Sequence, residues 1–143
     1  MSYYVVANIL MLLSLIYQIG FILNYISIDG DDIGRKITSC YLSNNRQELM
    51  YISQSLYEFT KEIAAKLQDY GFDIIFCAAD GVVASTESDI SLEAIFQEIQ
   101  ILAPNNMTFS AGIGTSLSEA YIALMSAKSN GKNCLHNYAK LGL

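Results

Sequence analysis

The sequence has 143 residues, 52% of them hydrophobic and 15% charged, with 8 Lys and Arg against 14 Asp and Glu and a formal net charge of -6. That length suits one domain with a core of its own and is too short for two. An acidic chain does not grip long DNA or RNA by neutralising phosphates, and three cysteines, Cys40, Cys77 and Cys134, make neither a zinc framework nor a closed disulfide set. They read as small core residues in a reducing, cytoplasmic compartment.

No Asp, Glu, Lys or Arg precedes Asp29, and residues 5–23 are mostly Val, Ile, Leu, Met and Phe. At about 1.5 Å per residue such a run just reaches across the hydrocarbon core of a bilayer. Its polar members, Asn8, Ser14 and Gln18, do not gather on one helical face, so it is no ordinary amphipathic surface helix. A signal peptide would show a basic start and a small-residue cleavage site. Three readings stay open: a helix anchoring the chain in the inner membrane through residues 5–23, a helix buried in a core, and an upstream extension read from an early start codon. Residues 1–24 are set apart as this hydrophobic helix and candidate transmembrane anchor, and residues 25–143 as the folded domain. If the helix spans, Arg35 and Lys36 place the domain on the cytoplasmic side.

Residues 25–29, YISID, are an apolar run rich in β-formers that ends at Gly30, a buried strand. Residues 31–42 follow as a helix whose acidic start suits the helix dipole. Over residues 44–70, Leu49, Ile52, Leu56, Phe59, Ile63 and Leu67 recur at spacings of three and four, one face of a long amphipathic helix that Gly71 stops. Residues 72–77 and 82–85 are two apolar runs about a turn of small residues, Ala78 to Gly81, which makes a β-hairpin with one acid at its tip. Residues 89–102 form a helix capped by Asp89 or Ser91 and closed by Pro104. A strand at 107–114, a helix at 116–129 capped by Ser116 or Ser118, and a short strand at 133–138 complete the chain. The order is β-α-α-β-β-α-β-α-β, an α/β domain without internal repeats.

Chemistry is carried by three places. Asp29, in IDGDDIG, and Asp80, in AADG, each stand at the end of an apolar strand, where a charge has no packing role. A sheet that pairs the first strand with the hairpin brings them together, and a divalent cation relieves the repulsion that results. Magnesium, which takes one or two carboxylates and completes its shell with water and phosphate oxygens, is the natural choice. On this view neutralising either acid should hold or raise stability. GDDIG leads from strand to helix, where backbone N–H groups can hold a phosphate; Asp31 and Asp32 would repel a bare phosphate, or else they only cap the helix. Lys128 and Lys132, four apart at the end of the last helix, share a face and could meet a triphosphate, or answer the helix dipole. The sole histidine, His136, reads as structural.

In order and spacing these segments resemble the palm-type nucleotide cyclases that include GGDEF diguanylate cyclases and the palm of CRISPR-associated polymerases, and most of all the minimal CRISPR polymerase (mCpol) family. IDGDDIG matches the first metal motif, AADG falls where GGDEF or GGDD hairpins sit, and SAGIG followed by ALMSAKSNGKN is similar to the closing strand and ALYxAKxxGRN segment of GGDEF domains. The resemblance covers residues 25 to about 138 and implies a ferredoxin-like α+β palm. It implies two Mg²⁺ or Mn²⁺ ions held by Asp29, Asp80 and the Gly30 carbonyl, a triphosphate cradled by the amides of Asp32, Ile33 and Gly34, and terminal phosphates met by Lys128 and Lys132. The sequence departs from the pattern at the hairpin: Ala78 and Ala79 stand for the two glycines, and Gly81 for the second acid.

The implied activity is nucleotidyl transfer that joins nucleoside triphosphates into a cyclic di- or oligonucleotide second messenger, read by a separate effector in antiphage defence. A homodimer is expected, because one small palm offers a single triphosphate site. The positions where guanine-specific cyclases carry Asn and Asp fall on Ile37 and Arg46, which disfavours guanine and leaves ATP as the expected substrate. Two other readings are a degenerate palm that binds nucleotide without turnover and a membrane-tethered dimerisation module.

Overall fold

The computed structural model describes residues 2–19 and 22–143. Its elements are α1 (Tyr3–Ile19), β1 (Asn24–Gly30), α2 (Ile33–Leu42), α3 (Arg46–Asp69), β2 (Asp73–Ala78), β3 (Gly81–Thr86), α4 (Leu92–Leu102), β4 (Phe109–Gly114), α5 (Leu117–Ser129) and β5 (Leu135–Asn137), with a 3₁₀ turn at Tyr138–Lys140. This is the order read from the sequence, a helix followed by β-α-α-β-β-α-β-α-β. The five strands form one sheet in the order β2-β3-β1-β4-β5. β1 is central and antiparallel to both β3 and β4, whereas β5 runs parallel to β4.

Strand alternation distributes the helices over the two faces of the sheet. Ile26 and Ile28 of β1, Val82 and Ala84 of β3, and Ala111 and Ile113 of β4 join one apolar core with Phe59 and Ile63 of α3 and Phe96 of α4. The stripe at Ile52, Leu56, Phe59, Ile63 and Leu67 is buried as its spacing requires. Phe59 and Phe109 meet at 5.0 Å between ring centroids, a pair worth about 0.5 to 1.5 kcal/mol beyond its area. The residues between, above all Gly112 and Gly114, turn to the opposite face, where a Cβ would collide with the backbone of α5. Ala120, Ala123 and Ala127 are the buried small residues on the α5 side of that contact, so α5 lies almost against β4.

Side-chain capping sets three helix starts. Asn45, Ser91 and Ser116 accept from Glu48 N, Ala94 N and Glu119 N, which fixes the start of α3, α4 and α5. α2 starts at Ile33 rather than at residue 31, because Asp31 is turned inward and Asp32, at φ 58°, makes no side-chain cap. The last strand is shorter than the expected 133–138, since Lys132 and Asn133 both have positive φ.

The N-terminal run forms α1, 17 residues over Tyr3–Ile19, about 26 Å of helix against a hydrocarbon core of about 30 Å. No helix among the described residues is long and apolar enough to cross a membrane, so the expected transmembrane anchor over residues 5–23 finds no support there; residues 20 and 21, inside that run, lie outside the described residues. α1 is not a core helix either, because its side chains from Tyr3 to Ile16 are exposed. Of the three cysteines, Cys40 alone is buried and Cys77 is exposed.

Candidate active site

Register brings the two acids together. Asp29, near the end of β1, is paired with Gly81 across β3, so the hairpin tip bearing Asp80 lies beside it. Gly30 N–H donates to Asp80 O at 3.0 Å and closes the junction. A Cβ on Gly30 would clash with Ile33 Cγ1 at 2.6 Å and come within 3.2 Å of Asp80 Oδ2, and one on Gly81 would sit 3.3 Å from Asp29 Oδ1. The two carboxylates thus lean over the two glycines. Burial, and then the charge of Asp29, push the Asp80 carboxyl above the usual carboxylate range, although Lys128 pulls the other way.

The turn that carries Asp80 is strained. Its two residues are Ala79 and Asp80, and Ala79 sits at φ 51°, where an L side chain costs about 1 to 2 kcal/mol. Thr60 of α3, itself buried, donates its hydroxyl to Ala79 O at 3.0 Å and holds the tip in place. The hairpin therefore keeps its geometry with alanine where the family pattern has glycine.

Lys128, on the last turn of α5, reaches across the sheet face into the acids. Its Nζ is 2.8 Å from Asp29 Oδ2, 2.7 Å from Gly30 O and 3.5 Å from Asp31 Oδ1. Lys132 pairs with Asp32 Oδ1 at 2.6 Å, and this contact holds the Asp32 carboxyl below its ordinary range. The two lysines do not share a helix face, because α5 ends at Ser129 and Lys132 lies in the following turn. The turn, not an i, i+4 spacing, brings Lys132 to the site.

Asp31 has a part that its sequence context hid. It is 3% exposed and accepts from Thr108 Oγ1 at 2.8 Å, Ser110 Oγ at 2.7 Å and Asn133 N at 2.9 Å, while its own N–H donates to Thr108 O. It neither caps α2 nor faces a phosphate. It ties the end of β1 to β4 and to the Gly-Lys-Asn turn, and leaving those donors unpaired would cost about 1 to 3 kcal/mol each. The doublet of adjacent aspartates was the only signal in the sequence, and it fitted a helix start equally well. The His136 ring meets α5, its Nδ1 2.9 Å from Ser126 Oγ.

Beside Asp80 opens a cleft of about 670 Å³ between α2, α3 and the hairpin tip, lined by Ile33, Gly34, Ile37, Ser53 and Tyr57 among others. Ile33 and Gly34 form the uncapped start of α2, so backbone N–H groups and the helix dipole lie at its mouth. Nothing crowds Gly34 on its Cβ side. Of the two positions tied to base reading, Ile37 lines this cleft and Arg46 lines an adjoining depression with Asn44 and Asn45. The polar groups that could meet a base are instead the Ser53 and Tyr57 hydroxyls, two residues that the motif count did not reach.

The residues suit a divalent cation. Asp29, Asp80 and the Gly30 carbonyl are hard oxygen donors, and an ammonium already sits on two of them. Among the described residues no group of three His, Cys, Asp or Glu side chains is arranged to hold a metal ion.

Solved structures share this fold. The GGEEF domain of a diguanylate cyclase from Vibrio cholerae is similar over 88% of this chain and 88% of its own, at 16% identity and a TM-score of 0.61. The GGDEF domain of DgcB from Caulobacter crescentus, in complex with c-di-GMP, covers 89% and 84% at 10% identity and 0.66. The Csm1-Csm4 cassette in complex with cA3 is similar over 79% of this chain but 20% of its own, at 16% identity and 0.60. No curated protein sequence matches. The model of the minimal CRISPR polymerase domain matches residues 25–138, from the first strand of the sheet to the turn after the last. With acids, glycines and lysines arranged as above within that span, the chain belongs to the minimal CRISPR polymerase (mCpol) family.

Proposed function

We propose that the protein is a metal-dependent nucleotidyltransferase that joins nucleoside triphosphates, ATP in the first place, into a cyclic di- or oligonucleotide. The convergence of Asp29, Asp80 and the Gly30 carbonyl at the mouth of a nucleotide-sized cleft carries this reading, with Lys128 and Lys132 beside them.

Asp29, Asp80 and Gly30 O would hold two Mg²⁺ or Mn²⁺ ions. The bound ions would activate a ribose hydroxyl and steady the pyrophosphate leaving group. The chain itself supplies positioning. The first amides of α2, from Asp32 to Gly34, receive phosphate oxygens, and Lys128 and Lys132 offset the charge of the terminal phosphates. No histidine or other base faces the site, so the fold contributes charge and orientation rather than covalent chemistry.

The cleft favours adenine by what it lacks. Ile37 stands where guanine-specific cyclases carry Asn, and a guanine donor left facing it would cost about 1 to 3 kcal/mol, while the Ser53 and Tyr57 hydroxyls remain to meet the base. Arg46 lines the adjoining depression, which shares Tyr41 and Leu49 with the cleft. Two substrates must meet for a cyclic product, so the active form is a homodimer with two clefts face to face. The product would act through a separate effector, and family membership suggests antiphage signalling as the setting. The test is incubation of the full chain with each NTP and Mg²⁺, separating products by chromatography. A cyclic adenylate from ATP is expected; preference for GTP by tenfold or more would overturn the base assignment.

A further inference from the structure

Lys128 is expected to bind phosphate, yet its ammonium lies on the groups meant for the metal. Its three N–H donors have three oxygens within reach: Asp29 Oδ2 at 2.8 Å, Gly30 O at 2.7 Å and Asp31 Oδ1 at 3.5 Å. Its side chain is 19% exposed, so the ammonium is settled in the site and not waving above it. A divalent ion bound at about 2.1 Å from the same two oxygens would stand against that ammonium, like charge to like. The two cannot share Asp29 Oδ2 and Gly30 O.

We infer that Lys128 is a resident counter-cation: its ammonium holds the Asp29 and Gly30 oxygens in place of a divalent metal, and gives them up when a polyphosphate offers it other acceptors. The inference rests on the proposed metal site and adds an order of events. Metal alone must evict a well-partnered lysine, and nucleotide alone must face Asp29 and Asp80. Arriving together, the metal takes the oxygens and the phosphate takes the lysine. Metal and nucleotide therefore bind cooperatively, and by linkage each raises the affinity of the other by the same factor. Lys132 has no such part, since it is held by Asp32 outside the pair of metal acids. The ammonium offsets the charge of Asp29, and Asp80 is left as the carboxylate under strain.

The test uses Mn²⁺ as the probe, with free Mn²⁺ read by electron paramagnetic resonance in the absence of nucleotide. Lys128→Gln should bind Mn²⁺ about tenfold more tightly than the wild type, Lys132→Gln should change affinity by less than twofold, and Asp29→Asn in the Lys128→Gln background should erase the gain. Equal affinity in wild type and Lys128→Gln, or the same gain in Lys132→Gln, would overturn the inference. A second measurement needs no variant. Lysine acetylation read by mass spectrometry should find Lys128 of the wild type protected in metal-free buffer and several-fold more reactive at saturating Mn²⁺; unchanged reactivity would also overturn it. If Mn²⁺ binds neither wild type nor Lys128→Gln, even with a non-hydrolysable ATP analogue present, the metal site itself fails and the proposed function with it.

Discussion

Asp29 and Asp80 look alike in the sequence, but the structure makes them unequal partners. Asp29 has an ammonium at 2.8 Å, whereas burial and the neighbouring Asp29 hold the Asp80 carboxyl above its ordinary range. A carboxyl raised in the folded state contributes most below its unfolded value, near pH 4, and that contribution is lost as pH rises through the folded value. At neutral pH without metal, ionised Asp80 is therefore a cost. Asp80→Asn should raise stability there by under about 1 kcal/mol, the carboxylate being part-exposed, and the gain should vanish below about pH 4. Asp29→Asn should lower stability by about 1 to 2 kcal/mol, because it strips a half-buried lysine of its partner. Urea melts of both variants at pH 7 and pH 3.5 read the two signs. Ala79 gives a further check at this scale. At φ 51° it should welcome glycine, and Ala79→Gly should gain about 0.5 to 1 kcal/mol after the larger unfolded-state entropy is counted. A loss in the same melts would mean that the turn is not strained there.

At the scale of elements, the site depends on how closely α5 approaches the sheet. Gly112 and Gly114 leave no space for a Cβ, and this close contact carries Lys128 to the end of β1. Gly112→Ala should cost more than about 3 kcal/mol, since the clash is with backbone and not with a side chain that can swing away. Thermal melting checks it; a midpoint within a degree or two of wild type would show that α5 can shift. The elements themselves were legible because each had a local cause: the stripe of α3, the serine caps of α4 and α5, the small-residue turn at Ala78 to Gly81. What escaped was nonlocal. The burial of Asp31 depends on Thr108 and Ser110 of β4, far along the chain, and no spacing within GDDIG reveals it. Lys128 was found, but its direction was not, because a lysine near a helix end carries no sign of which oxygens it will reach. The cleft residues Ser53 and Tyr57 were hidden in an α3 pattern that already had a sufficient reading as an amphipathic helix.

For the whole molecule, the sheet order β2-β3-β1-β4-β5 places both acid-bearing segments next to each other; α2 with α3 forms the cleft, and α5 and the turn after it bring the cations. A single cleft beside a single acid pair suits one triphosphate, so joining two nucleotides calls for two copies of the chain. Turnover per chain should fall on dilution below the dimerisation constant and recover on concentration; a rate per chain constant over a thousandfold dilution, with a monomer by ultracentrifugation, would contradict the dimer.

The central claim is that Asp29 and Asp80 together form the cation-dependent centre of nucleotidyl transfer. Pyrophosphate release from ATP tests it most directly, measured with and without Mg²⁺ for the wild type, Asp29→Asn and Asp80→Asn, each first shown to be folded. The account predicts release by the wild type with Mg²⁺ only, and a fall of at least a hundredfold in both variants. Absence of release by the wild type from any nucleoside triphosphate, or near-normal release by either variant, would contradict it.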